Sequence, residues 1–235
     1  MSISKETKEK IKENNKKITE LLLENENLLR SEGLNVPEEN FAFDDENKIK
    51  IPRGYIRKKE YLLNKYHLST IASNWVVRSN IGYALQLSDL HNFLINRFYF
   101  WGPVATVMYK SAIVNLIAIF EAMVLECANQ ICCDPKDCSK NRRCKKSFNQ
   151  NQRSSSYAAI KRINDLGITS FSSEELSRIK ELINLRNRVH IRLVGEKEIS
   201  DRYFNLKLYN EVIILLQRTS EELYNNATSY YHKCD

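Results

Sequence analysis

Residues 104–132 read VATVMYKSAIVNLIAIFEAMVLECANQIC. Apolar residues cover nearly every side of a helix of this length, and a helix that is apolar all round is the central one of a bundle. Lys110, Glu121 and Glu126 interrupt the stretch, so it holds no uncharged run of about 18 residues that would cross a bilayer. The stretch therefore predicts a buried central helix, and no membrane partner is expected.

The flanking sequence predicts more long helices with few turns between them. Six Gly and four Pro make up about 4% of the chain, against an average nearer ~12%. Apolar periodicity predicts helices over residues 70–100, 104–132, 157–166, from 172 or 173 to about 193, and 203–226. Residues 67–75 lack the glycine of a helix-turn-helix turn, so we expect one continuous helix there. The fold class is all-α, an antiparallel bundle of about four to five core helices plus an N-terminal amphipathic helix.

The N-terminal region has a different character from the body. Ile11, Ile18, Leu22 and Leu29 form the seam of an amphipathic helix in residues 1–31. Fewer than four heptads are present, so a coiled coil stays open beside docking on an antitoxin or another protein partner. Residues 32–54 read as an acidic linker, and residues 55–235 as the bundle with a basic, Cys-rich insertion at 133–156.

Charge and compartment follow from the same composition. The net charge is +7, and the segment from Asp134 to Arg162 alone is +7. A concentrated basic segment favours phosphate, so RNA is the expected partner, although a solvated loop has the same composition. The N-terminus lacks the apolar core of a signal peptide, and we expect a cytoplasmic protein with reduced cysteines.

Common enzyme motifs are missing from the sequence. No Gly-x-Gly-x-x-Gly or Gly-x4-Gly-Lys loop can be drawn through the six glycines, and no Gly-x-Ser-x-Gly elbow is present. The chain is therefore not expected to be a common nucleotide-binding enzyme or a serine hydrolase.

One segment has residues suited to phosphodiester chemistry: Leu185-Arg186-Asn187-Arg188-Val189-His190. On a helix, Arg186 and His190 share a face, with Asn187 one turn before His190. A group that exchanges protons near pH 7 beside a permanent cation suits transesterification, in which His190 moves a proton and Arg186 neutralises charge on phosphorus. The alternative is structural, with Arg186 paired to Glu181 or another acid.

This motif, with the preceding helix from Ser111 to Met123, resembles the HEPN superfamily over about residues 70–231. The resemblance implies a small helical bundle, usually a homodimer, and in many members a metal-independent endoribonuclease of toxin–antitoxin or other defence systems. It implies that Arg186, Asn187 and His190 are the signature residues and Glu121 the acidic residue facing them. The family usually separates its Arg and His by four to six residues, and here three lie between them.

The insertion adds two further site predictions. Its cysteines suggest a structural zinc site formed by Cys132, Cys133, Cys138 and Cys144, with reduced free thiols as the alternative. Cys127 is expected to face the core. Basic side chains expected to bind RNA are Arg142, Arg143, Lys145, Lys146, Arg188 and Arg192, with Phe148 and Tyr157 as base-stacking candidates.

These residues leave two functions open. One is the ribonuclease, which needs no cofactor for catalysis. The other is a non-catalytic dimeric module that binds RNA or another protein.

Overall fold

The computed structural model describes residues 3–34, 44, 46–51, 54–131, 155–187 and 204–231. By their packing they belong to two units, Met1–Ile51 and Pro52–Asp235. The helices are α1 (Lys5–Ser31), α2 (Lys59–Lys65), α3 (Leu68–Ile71), α4 (Trp75–Arg97), α5 (Gly102–Gln130), α6 (Ser156–Asp165), α7 (Ser173–Asn187) and α8 (Leu206–Asn226), followed by a 3-10 turn, Thr228–Tyr230. No strand occurs within these ranges, and the all-α prediction is confirmed.

The second unit is built around α5. This helix packs against α3, α4, α6, α7 and α8. Ile113, Ile117, Phe120 and Met123 are among its fully buried side chains. By length and composition α5 could cross a membrane, but 61% of its most apolar 18-residue window is buried within the protein. Its place at the centre of the bundle accounts for its hydrophobicity.

Polar caps and glycines set the helix ends. Ser172 Oγ accepts a hydrogen bond from Glu175 N at 3.2 Å, and Glu175 Oε2 accepts one from Ser172 N at 2.8 Å. This reciprocal pair is a capping box at the start of α7. Gly167 follows α6 with φ +73°, a left-handed conformation that favours glycine and ends the helix there.

The prediction of one helix over residues 70–100 is wrong at its N-terminal end. The chain breaks between α3 and α4, and Asn74 Oδ1 accepts from the backbone N–H groups of Val76 at 3.0 Å and Val77 at 3.4 Å. Asn74 is therefore the N-cap of a new helix.

The predicted insertion lies outside the described residues up to position 154, and its last two residues, Ser155 and Ser156, belong to the start of α6.

An ion pair fastens the start of this unit to α4. Asp89 is buried and accepts from Arg57 N at 2.9 Å and Arg57 Nε at 2.8 Å, and it also contacts Arg57 Nη2. Hydrogen bonding to Asp89 raises the pKa of Arg57, so this guanidinium stays charged. The chain before α2 is thereby held against the bundle.

Candidate active site

Arg186 and Asn187 occupy the last turn of α7. Ile179, Leu182 and Ile183 are buried and fix one face of the helix against the core. Arg186 lies three residues after Ile183 and four after Leu182, so it is on the same side of α7 as these buried residues, at the end of the helix. A basic side chain in the last turn also interacts favourably with the helix dipole.

Glu121 faces this turn from the central helix. It follows the buried Phe120 on α5 and is only 8% exposed. A buried carboxylate requires partners. Ser156 Oγ donates a hydrogen bond to Glu121 Oε1 at 2.6 Å, and Arg186 Nε lies 3.6 Å from Glu121 Oε2. The site therefore joins α5, α6 and α7.

The guanidinium of Arg186 is fixed but not enclosed. Its Nη1 donates to Asn187 Oδ1 at 3.1 Å, and its side chain is 43% exposed. Among the described residues these are its two polar contacts, and a guanidinium carries five N–H donors. Within the described ranges the second Nη1 donor and both Nη2 donors have no partner, and Arg can bind a phosphate through such donors in bidentate fashion.

Arg186 pairs with an acid, as the structural alternative expects. Glu181 does not pair with it: Arg178 Nη1 lies 2.9 Å from Glu181 Oε2, and Arg178 Nε donates to Glu211 Oε1 at 2.7 Å. The acid that Arg186 meets is Glu121.

The sequence analysis does not predict Ser156 as a site residue, because it lies in a run of three serines that is typical of a loop. A serine run before an apolar pattern is also a signal for the start of a helix.

Several predicted site residues fall outside the described ranges. These are His190, Arg188, Arg192, Arg142, Arg143, Lys145, Lys146, Phe148, Cys132, Cys133, Cys138 and Cys144. Tyr157 is described, and Lys180 Nζ lies 5.4 Å from its ring centroid in a cation–π contact. Its ring therefore has one partner from α7.

Cys127 is the one cysteine within the described ranges. Among the described residues, no group of three or more His, Cys, Asp and Glu side chains is placed to hold a metal ion. Cys127 is fully buried and accepts from Tyr231 Oη at 3.8 Å, and burial raises the pKa of its thiol to about 12. The prediction that Cys127 faces the core is confirmed, and its thiol is not a nucleophile at neutral pH.

His91 on α4 makes a polar contact with Ser111 on α5. His91 is buried, and its Nε2 lies 3.1 Å from Ser111 Oγ. Its Nδ1 is buried and has no hydrogen-bond partner among the described residues. Burial lowers the pKa of His91, so the ring is neutral near pH 7. The structure places His91 in the core.

Comparison with protein-family models, with curated proteins and with solved structures finds no match. The functional assignment therefore depends on the residues themselves and on their geometry.

Proposed function

We propose that this chain is a metal-independent endoribonuclease of the HEPN type, acting in the cytoplasm in host defence or in a toxin–antitoxin system. One observation supports it most: Arg186, from the sequence motif, and Glu121, the acidic residue that the resemblance implies, lie 3.6 Å apart although they come from different helices. The partial exposure of Arg186 is a second support, because a cation that binds an RNA phosphate must be accessible from solvent.

In the proposed reaction the 2′-hydroxyl oxygen of one nucleotide attacks the adjacent phosphorus. The bond from phosphorus to the 5′-oxygen of the next nucleotide breaks. His190 accepts the proton of the 2′-hydroxyl and returns it to the departing 5′-oxygen. The products carry a 2′,3′-cyclic phosphate and a 5′-hydroxyl group.

Arg186 acts on the charge that develops on the phosphate oxygens. Its Nη1 and Nη2 donors would bind these oxygens, while the contacts with Glu121 and Asn187 orient the guanidinium. Glu121 is in turn held by Ser156. Glu121 and Asn187 are positioning residues in this scheme, because they act through Arg186.

The remaining parts of the proposal come from the sequence. A homodimer would join two such sites, and the basic residues predicted above would follow the RNA backbone. Structural zinc on the insertion cysteines stays a prediction from their spacing, and catalysis does not depend on it.

The test compares cleavage of labelled single-stranded RNA in the presence of a chelator by the wild type, Arg186→Ala and His190→Ala. The loss expected for His190→Ala is about 10²–10⁴-fold, and for Arg186→Ala about 10²-fold or more. Arg178→Ala is the matched control, since Arg178 lies on the same helix and is also ion-paired, with a side chain 47% exposed. Its cleavage rate should equal that of the wild type.

The same experiment addresses the non-catalytic alternative. In that alternative the contacts of Arg186 with Glu121 and Asn187 are purely structural. RNA binding without cleavage, unchanged in His190→Ala, would identify a binding module and exclude the nuclease.

A further inference from the structure

Helix α1 has an exposed apolar face. It runs for 27 residues, Lys5–Ser31, and none of them is buried. Ser4 caps it by accepting from Thr7 N, and an ion pair joins Lys17 to Glu13 at 2.7 Å. Most helical stability in proteins comes from packing of an apolar face, so a helix of this kind calls for a partner.

The face has the spacing of a coiled-coil seam. Its positions recur at alternating intervals of four and three residues, which is the 3.5-residue period of two supercoiled helices. The six positions are Ile11, Asn15, Ile18, Leu22, Asn25 and Leu29. Four are aliphatic and two are amides.

This seam is symmetrical about Glu20. Ile18 and Leu22 lie two residues before and after it, the two asparagines lie five residues away on each side, and the outer Ile and Leu lie nine residues away on each side. In an antiparallel pair centred on Glu20, every Ile therefore meets a Leu of the other helix, and every Asn meets an Asn. The face is complementary to a second copy of itself, as a two-fold interface requires.

The charges of α1 favour the same orientation. Its first half, residues 5–17, carries six Lys and three Glu, whereas residues 18–31 carry three Glu and one Arg. A parallel pair would place like halves together, and an antiparallel pair places the basic half on the acidic half. Beside the seam, Lys12 of one helix comes next to Glu26 of the other.

We propose that α1 binds α1 of a second copy of this chain as an antiparallel two-stranded coiled coil. The Ile–Leu layers exclude water, the Asn pairs fix the register, and Lys12 with Glu26 selects the antiparallel direction. This proposal does not rest on the ribonuclease, because its residues lie on α1 and its measurements involve no RNA. A dimer formed through the bundles, as expected of the ribonuclease, would be left by every α1 variant, so the test compares the α1 variants with one another.

Sedimentation equilibrium of the full chain tests the seam. Ile18→Asp places a carboxylate in both central layers of the dimer and should weaken self-association by at least 100-fold. Leu23→Asp is the matched control, since Leu23 is as exposed as Ile18 (60% and 51%) but lies off the seam. It should leave the dissociation constant unchanged. Circular dichroism checks that both variants keep the helical content of the wild type.

A charge exchange tests the orientation. Lys12→Glu alone and Glu26→Lys alone each create two like-charge contacts in the antiparallel dimer and should weaken it roughly tenfold. The double variant should return to the wild-type constant. The two positions are about 21 Å apart along one helix, so they cannot compensate within a chain. A monomeric wild type, equal effects of Ile18→Asp and Leu23→Asp, or no recovery in the double variant would each overturn the proposal.

Discussion

The pair formed by Glu121 and Arg186 makes a prediction that can be worked out from the structure. Two unit charges 3.6 Å apart attract by about 4–5 kcal/mol at an effective dielectric constant near ~20. Because the Arg186 side chain is 43% exposed, screening and desolvation reduce the net contribution to about 1 kcal/mol. The hydrogen bond from Ser156 to the carboxylate adds about 1.5 kcal/mol.

Two substitutions of Glu121 separate these contributions. Glu121→Gln removes the charge but keeps an oxygen that accepts from Ser156, and it should lower the free energy of unfolding by about 1 kcal/mol. Glu121→Ala removes both interactions and should lower it by about 2–3 kcal/mol. A loss of 1 kcal/mol corresponds to a melting temperature lower by roughly 2–4 °C for a unit of this size.

The assay is a double-mutant cycle of Glu121→Gln and Arg186→Gln, measured by urea denaturation followed by circular dichroism. A coupling energy of about 1 kcal/mol is expected, and it should shrink in high salt. A coupling energy of zero would refute the reasoning, because the two side chains would then not hold each other. Equal losses in Glu121→Gln and Glu121→Ala would show that the Ser156 bond contributes nothing.

Two further predictions concern stability. Gly82→Ala should lower the urea midpoint, although alanine favours helix more than glycine does. The added Cβ would come within 2.6 Å of Lys59 Cγ and 3.1 Å of Leu63 Cδ2, which is too close without a shift of these side chains. A higher midpoint would contradict this close packing of α2 on α4. Burial lowers the pKa of His91, so the unfolded chain binds the proton more readily than the folded one. The contribution of His91 to stability is therefore complete above about pH 6.5 and is lost as the pH falls from there toward the folded pKa. Urea midpoints between about pH 7.5 and 5 should fall more in the wild type than in His91→Gln, and parallel curves would show that His91 is not the cause.

Much of the fold could be predicted from composition alone. The central helix was expected over residues 104–132 and is α5, Gly102–Gln130. The predicted helices over residues 157–166 and 203–226 likewise correspond to α6, Ser156–Asp165, and α8, Leu206–Asn226. These predictions succeeded because a helix that is buried on most sides must be apolar on most sides, and such a composition is visible without any partner.

The break before α4 could not be found in the same way. Ile71 is fully buried and Trp75 is exposed, yet both are apolar and continue the pattern of the next helix. Periodicity therefore runs through the break without a change. The signal was Asn74, whose short side chain satisfies two backbone N–H groups at a helix start.

The site shows what sequence spacing leaves open. The motif selected Arg186, but its partner lies 65 positions earlier in the chain, and the sequence left Glu181 or another acid open as that partner. Packing of α7 on α5 decides between them, since it brings Arg186 to Glu121 and leaves Glu181 with Arg178. Only the resemblance to the HEPN superfamily indicated Glu121, and nothing in the sequence connected Ser156 to it.

The central claim is the chemistry, and the ends of the RNA product test it most directly. The full chain is incubated in a chelator with an RNA and with a matched strand that carries 2′-deoxyribose at every position, and the product ends are identified by mass spectrometry. We predict 2′,3′-cyclic phosphate and 5′-hydroxyl ends from the RNA and no cleavage of the deoxy strand. Products ending in 5′-phosphate, or equal cleavage of the deoxy strand, would contradict attack by the 2′-hydroxyl and with it the proposed roles of Arg186 and His190.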